Sequence, residues 1–128
     1  HAGWKGAISG IIEKTINQIK RLNKDCKIFA CIGPCIGKKS YEVDTSFYKK
    51  FLKKSKKNSL YFSKKNKTKR LFNLRRYVRN KLVKYRIKVD QISLDTFTEK
   101  KYFFSYRRSQ KLKEVDYGRN ISVITLKA

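Results

Sequence analysis

The stretch AISGIIEKTINQIKRLNKDCKIFACIGP, residues 7–34, decides the fold class because a helix pattern directly precedes a strand pattern in it. Apolar residues recur there at spacings of three and four, which predicts an amphipathic α-helix over residues 7–23. The apolar residues of this stripe are Ile8, Ile11, Ile12, Ile16, Ile19 and Leu22. The following segment, KIFACI at residues 27–32, predicts a buried strand with Cys31 in the core.

The rest of the chain mixes helix and strand patterns without regular alternation. Asp44 is predicted to cap a short helix through Phe47 and Phe51, and Thr68 to cap a second helix over 71–85. The patterns also predict strands at 91–97 and 120–126 and irregular surface segments at 53–68 and 109–117. We therefore predict an α+β fold, a layered mixed sheet with helices packed on the outside, in one domain over residues 1–128.

Positive charge dominates the composition of the chain. Among 128 residues, 34 are Lys or Arg and 9 are Asp or Glu, which gives a formal net charge of +25. The densest run, Lys49–Arg70, favours non-specific contact with nucleic-acid phosphates, and a merely solvated basic face is the alternative. Its aromatic residues have spacings that suit a protein core equally well. With 40% hydrophobic residues, the chain is too apolar for a disordered basic tail.

Several features bear on where the protein resides. No apolar run approaches the ~20 residues of a membrane span, and the N-terminus lacks the pattern of a signal peptide. Three cysteines, an odd number, favour a reducing compartment, so we expect a cytoplasmic protein without membrane contact. Because the chain begins with His and contains no Met, we also expect it to be part of a longer protein.

The scarcity of histidine excludes several kinds of site within this chain. His1 is the only histidine, so neither a three-histidine zinc site nor a multi-histidine copper cluster can be built from these residues alone. The glycine-rich phosphate loops GxGxxG and GxxxxGK[ST] are also missing from the sequence.

Five short motifs occur in one order across nearly the whole chain. They are HAGWKG at 1–6, GPCIGKKSYEVD at 33–44, FNL at 72–74, FFSYRR at 103–108 and YGR at 117–119. This series resembles the C-terminal half of the laccase-domain family, also called the YfiH-like or multicopper polyphenol oxidoreductase family. The family pattern has HAGWRG, GPCIGP followed by YEV, F-D-L, a C-T pair, FFSYRRD and T-G-R at the corresponding places.

The resemblance implies a zinc-dependent purine nucleoside phosphorylase. Such enzymes act on adenosine, inosine and methylthioadenosine with phosphate, and are also described as deaminating adenosine. Two histidines and one cysteine hold the family's metal, and the role of the last histidine carries over onto His1. The other two ligands belong to a segment upstream of this chain, typically T-A-D-C, and none of Cys26, Cys31 and Cys35 matches that cysteine.

The other site residues follow from the need to hold phosphate and a nucleoside. Arg107 or Arg108 is predicted to contact the anion, with Lys5 as a weaker candidate, because cationic donors stabilise transferring phosphate. Tyr106 is predicted to pack on the base or the sugar. The predicted loop-shaping residues are Gly3, Gly6, Gly33 and Cys35. No oligomeric state is predicted.

The chain departs from the family pattern at six positions. These are Lys5 for Arg, Lys38 for Pro, Asn73 for Asp, Phe97 for Cys, Arg86 for Gly and Ser109 for the acidic residue after FFSYRR. Two alternatives therefore stand beside the enzyme: an inactive truncated remnant, and a basic nucleic-acid-binding module without catalysis.

Overall fold

The computed structural model describes residues 1–126 and consists of short helices and two small sheets. The helices are α1 (Trp4–Ile8), α2 (Ile11–Leu22), α3 (Thr45–Lys54), α4 (Leu74–Val83), α5 (Tyr106–Leu112) and a 3-10 helix (Lys56–Tyr61). The strands are β1 (Phe29–Ile32), β2 (Glu42–Asp44), β3 (Phe62–Lys64), β4 (Lys69–Phe72) and β5 (Lys88–Gln91). This mixture confirms the predicted α+β fold. Within residues 1–126 no helix has the length and apolar character needed to cross a membrane.

Each sheet is packed against helices. β1 and β5 form a parallel pair in which Phe29 lies opposite Lys88, while β2, β4 and β3 form an antiparallel sheet with β4 in the centre. α4 contacts both strands of the parallel pair and also α2, whereas α3 packs on β2 and β4. α4 joins the two sheets, because Tyr77 on it also packs against Phe51 of α3 and Phe72 of β4.

The helix predicted over residues 7–23 is two helices, α1 and α2. Gly10 separates them with a φ of +86°, a left-handed conformation that side-chain-bearing residues rarely adopt. The predicted apolar stripe is otherwise confirmed, because Ile12 and Ile16 are buried. At its far end Leu22 is 81% exposed, so the last turn of α2 extends beyond the core.

Side-chain caps begin α3 and α4. Asp44 Oδ1 accepts a hydrogen bond from Phe47 N at 2.7 Å, which confirms the predicted cap and lowers the pKa of this carboxyl. The prediction for Thr68 is wrong, because β4 follows it and Asn73 caps α4 by accepting from Arg76 N at 3.0 Å. The family pattern has Asp at position 73, and Asn and Asp cap equally well, so the departure preserves the cap.

An aromatic core joins the antiparallel sheet to α3 and α4. Its members are Phe47, Phe51, Phe62, Phe72 and Tyr77. Phe51 and Phe72 are fully buried, with ring centroids 4.8 Å apart. The irregular segment predicted at 53–68 is confirmed only for residues 65–68, because burial of Tyr61 and packing of Phe62 hold a 3-10 helix and β3 in place before them.

The strand predicted as buried at 27–32 is exposed on one face. β1 begins at Phe29, which is 51% exposed, and Cys31 is also exposed. The core role predicted for Cys31 is therefore wrong. The continuous apolar run suggested two covered faces, but alternate side chains of β1 are open to solvent in the described part of the chain.

Two strand predictions near the C-terminus are also wrong. β5 ends at Gln91, although Ile92 N still donates to Ile32 O at 2.9 Å; beyond it Asp95 forms an isolated bridge with Cys35, and a turn over residues 96–98 follows. Residues 120–126 form no strand, and Ile121 is 89% exposed, because no strand among residues 1–126 pairs with this apolar segment. The loop predicted at 109–117 starts later, since α5 continues to residue 112.

Arg86 occupies a left-handed conformation, with φ of +58°, in the turn of residues 84–86 that follows α4. The family pattern has glycine here, and a left-handed L-residue costs about 1–2 kcal/mol. We expect Arg86→Gly to raise the free energy of unfolding by about 0.5–1 kcal/mol, after the entropic cost of glycine in the unfolded chain. Thermal unfolding followed by circular dichroism measures this change.

The control is Lys14→Gly, at an exposed position inside α2. Glycine at this helical position is expected to lower the free energy of unfolding by about 1 kcal/mol. If Arg86→Gly lowers the melting temperature as much as Lys14→Gly does, strain at Arg86 is not the reason for glycine in the family.

Candidate functional site

The N-terminal motif, residues 1–6, presents His1 on the surface just before α1. The imidazole folds back over the backbone, so that a Cβ atom at Gly3 would lie 2.9 Å from His1 Nε2. Any larger residue at position 3 would displace the imidazole. At Gly6, a Cβ atom would lie 3.4 Å from Ile11 Cγ2, which is close contact with the next helix.

His1 stands beside an apolar cavity of about 250 Å³. Most of the wall is formed by isoleucines of α2 together with Ile28, Phe29, Leu82 and Ile87. His1 is the only ionisable side chain among the lining residues of this cavity. Such a wall can accept a flat or apolar group by burial, but it offers few hydrogen-bond partners.

The donor set around His1 does not by itself fit a zinc ion. A structural or catalytic zinc site takes at least three protein ligands. Among residues 1–126, no group of three His, Cys, Asp or Glu side chains could hold a metal. His1 could therefore serve as one ligand, with the others coming from outside this set.

The two arginines of FFSYRR have different surroundings at the start of α5. Arg107 Nη1 donates to Glu42 O at 2.8 Å, and the guanidinium lies 5.3 Å from the centre of the Tyr41 ring. Arg108 Nη1 donates to the carbonyl oxygens of residues 96 and 97 at 2.8 and 3.0 Å, and its Nη2 donates to that of residue 103. Arg108 thus uses both terminal nitrogens on backbone, whereas Arg107 uses one.

The remaining predicted binding residues are exposed. Lys5 Nζ lies 5.8 Å from the centre of the Trp4 ring, in a cation–π contact that leaves its charge in solvent. Tyr106 is 58% exposed, and its ring centroid lies 5.3 Å from that of Tyr117. The phosphate and nucleoside roles of these residues stay predictions.

The loop after β1 is fixed by a polar cluster of Ser40, Arg75 and Asp95 that sequence reasoning missed. Asp95 Oδ2 accepts from Ser40 Oγ at 2.6 Å, and Arg75 Nη2 donates to Leu94 O at 2.7 Å. Burial raises the pKa of Asp95, but hydrogen bonds from Ser40 and backbone amides and the charge of Arg75 outweigh it and leave the pKa lowered. At Gly37 a Cβ atom would lie 2.5 Å from Asp95 Oδ2, so the loop needs glycine there.

Two other residues of this loop were singled out from the sequence. Burial raises the pKa of the Cys35 thiol, so it is a poor nucleophile at neutral pH. At Gly33 a Cβ atom would lie 2.6 Å from Ser122 Oγ, where the C-terminal segment passes. The neighbouring Tyr41 is buried, which raises its pKa to about 12 despite the nearby charge of Arg107.

The predicted residues thus lie in separate places. Arg107 contacts Tyr41 and Glu42, Arg108 contacts the loop of residues 96–103, and His1 lies at the apolar cavity. Within residues 1–126, no hydrogen bond joins His1 to either arginine; the connection runs through ring contacts of Trp4 with Phe47 and of Phe47 with Tyr41, at 4.7 and 6.1 Å.

Comparison with known proteins identifies the family of this chain. Residues 1–127 match the family described as multi-copper polyphenol oxidoreductase laccase. The chain belongs to this family. The resemblance predicted from the five motifs is therefore confirmed. With one histidine in the chain, its own residues cannot form the copper cluster that this description suggests.

The chain is also similar to curated proteins named purine nucleoside phosphorylase. It is 40% identical over 131 residues to that of Rickettsia conorii, covering 99% of this chain and 53% of the relative. It is 37% identical to that of Rickettsia prowazekii over the same share of each chain, and 34% identical to that of Haemophilus influenzae. The chain spans about half the length of the curated relatives it matches.

Solved structures of the family share the fold. A Neisseria meningitidis protein of the family DUF152 superimposes with a TM-score of 0.73 and 26% identity, covering 84% of this chain and 44% of that protein. The Bacillus licheniformis protein YfiH gives 0.72 and 28% identity, covering 86% of this chain and 43% of that protein.

Proposed function

We propose that this chain supplies part of a purine nucleoside phosphorylase, which converts a nucleoside and phosphate into the free base and ribose 1-phosphate. The observation that carries the proposal is 40% identity to an enzyme of that name along 99% of the chain. Adenosine, inosine and methylthioadenosine are the proposed substrates, and adenosine deamination is a proposed second activity.

Arg107 is the better candidate for the phosphate contact. Phosphorolysis requires cationic donors that hold phosphate against the ribose carbon while the base leaves. The terminal nitrogens of Arg108 already donate to backbone carbonyl groups, so removing them would cost hydrogen bonds within the fold. Arg107 Nη2 and Nε donate to no group among residues 1–126. The N–H groups on these two nitrogens are therefore available to an anion.

His1 and the apolar cavity are the proposed nucleoside side of the site. The cavity wall would exclude water from a base or sugar, and the imidazole at its edge could orient a polar group of the substrate. Zinc also stays part of the proposal, with His1 as one ligand and the others supplied from outside the described residues. The cytoplasmic location is proposed on cysteine usage alone.

The experiment incubates the complete enzyme, including the segment proposed to supply the other zinc ligands, with inosine, adenosine or methylthioadenosine, with and without phosphate. We expect release of free base that depends on phosphate, and chromatography measures this release. Arg107→Ala is expected to raise the KM for phosphate about tenfold or more, since a charge-assisted contact contributes about 1.5–3 kcal/mol.

Arg21→Ala is the matched control, because Arg21 is exposed on α2. It should leave the KM for phosphate unchanged. Absence of phosphate-dependent base release with all three nucleosides would contradict the proposed activity. An unchanged KM in Arg107→Ala would instead remove only the role of Arg107.

A further inference from the structure

A polar groove of about 690 Å³ runs between α4 and β5 and shares Arg75 with the polar cluster of the loop after β1. Three arginines line it, namely Arg75, Arg76 and Arg79, and Asp90 is the one acidic residue among its lining side chains. Because residues three and four apart lie on one side of a helix, α4 directs these arginines toward the same surface.

Arginine is concentrated at this groove, although lysine is the more common basic residue in the chain. Of its 34 basic residues, 25 are Lys and 9 are Arg, yet three of the nine arginines fall within residues 75–79. Arginine presents a planar fork that matches phosphate oxygens, whereas lysine acts as a point charge. The groove therefore has the donor type that suits phosphate groups.

The three arginines divide into an anchor and two open side chains. Arg75 donates to Leu94 O and is held against the loop that follows β5. Arg76 and Arg79 are exposed, and their guanidinium groups form no hydrogen bond or ion pair with any of residues 1–126. The guanidinium groups of Arg76 and Arg79 are therefore without an ion-pair partner among residues 1–126, and Asp90 lies on the opposite wall of the groove.

We propose that this groove binds the phosphate backbone of a nucleic acid. Its lining has no aromatic side chain on which bases could stack, so the contact would be with phosphates and independent of sequence. Val89 is the only apolar lining residue, which disfavours an anionic membrane surface. The Lys-rich run 49–70 is a poorer candidate, because its basic residues other than Arg70 are lysines, which lack the planar guanidinium group.

The test measures binding of a fluorescently labelled, single-stranded oligouridylate by anisotropy at several KCl concentrations. Arg76→Gln with Arg79→Gln is expected to weaken binding about tenfold or more at low salt. The slope of log K against log salt should become shallower by about 1.4, that is, roughly 0.7 for each lost phosphate contact.

Two further variants sharpen the test. Lys56→Gln with Lys57→Gln removes the same charge from the exposed 3-10 helix, and it should change the affinity less than twofold. Asp90→Asn removes the acidic group and should strengthen binding roughly two- to fivefold. The Asn Oδ1 can still accept from Gln91 N, as Asp90 Oδ1 does at 2.8 Å.

Equal losses in the arginine and lysine double variants would overturn the proposal, because binding would then follow net charge and not the groove. Binding to vesicles of anionic phospholipid without binding to the oligouridylate would also overturn it. Both double variants change exposed residues, so unfolding is not expected, and circular dichroism of each variant checks this.

Discussion

Arg108→Ala is expected to lower the free energy of unfolding by about 3 kcal/mol, or roughly 10 °C in melting temperature. The guanidinium joins α5 to the loop of residues 96–103 through three backbone carbonyl groups. A hydrogen bond to a charged donor contributes about 1.5–3 kcal/mol, and half-burial of Arg108 reduces the sum. Thermal and urea unfolding followed by circular dichroism measure the loss.

Comparison with neighbouring variants separates the fork geometry from the charge. Arg108→Lys keeps the charge but offers one nitrogen, so it should recover less than half of the lost stability. Arg107→Ala removes one backbone hydrogen bond and the stacking on Tyr41, and a smaller loss is expected. A melting temperature of Arg108→Ala within the experimental error of the wild type would contradict this role.

Phe72→Ala is expected to lower the free energy of unfolding by about 3–5 kcal/mol, which is the usual range for truncation of a buried phenylalanine. The ring is fully buried in the aromatic core, with centroids of Phe62 and Phe51 at 4.7 and 4.8 Å. Alanine would leave a cavity between α3 and the centre of the antiparallel sheet. The expected fall in melting temperature is about 10–20 °C, measured by differential scanning calorimetry.

Phe29→Ala is the matched control, because Phe29 lies in a strand but is 51% exposed. Its expected loss is below about 1.5 kcal/mol, since truncation there removes little buried area. Equal losses in the two variants would mean that the aromatic core does not dominate the stability of the fold.

Local patterns in the sequence predicted the helices better than the strands. The spacing of Ile12 and Ile16 predicted α2, and Asp44 predicted the start of α3, because both signals act within a few residues. The segment at 120–126 has an apolar strand pattern, yet it has no strand beside it among residues 1–126. Whether an apolar segment pairs depends on a partner distant in sequence, which the segment itself does not encode.

In the candidate site, too, residue types could be predicted from the sequence but contacts between distant residues could not. The motif HAGWKG and the pair Arg107 and Arg108 could be picked out from residue types alone. Their different surroundings could not, because the carbonyl groups that bind Arg108 come from residues five to twelve positions away. Asp95 and Ser40 were missed because they are 55 residues apart in sequence and meet only in the folded chain.

Trp4 gives the docking of the N-terminal motif an optical signature. It is the only tryptophan in the chain, and its ring packs on Phe47 of α3 at 4.7 Å with Lys50 Nζ 5.6 Å from its centre. Indole emission depends on the polarity around the ring, so its colour distinguishes a docked motif from a detached one. The segment that carries His1 can therefore be followed in solution without an added label.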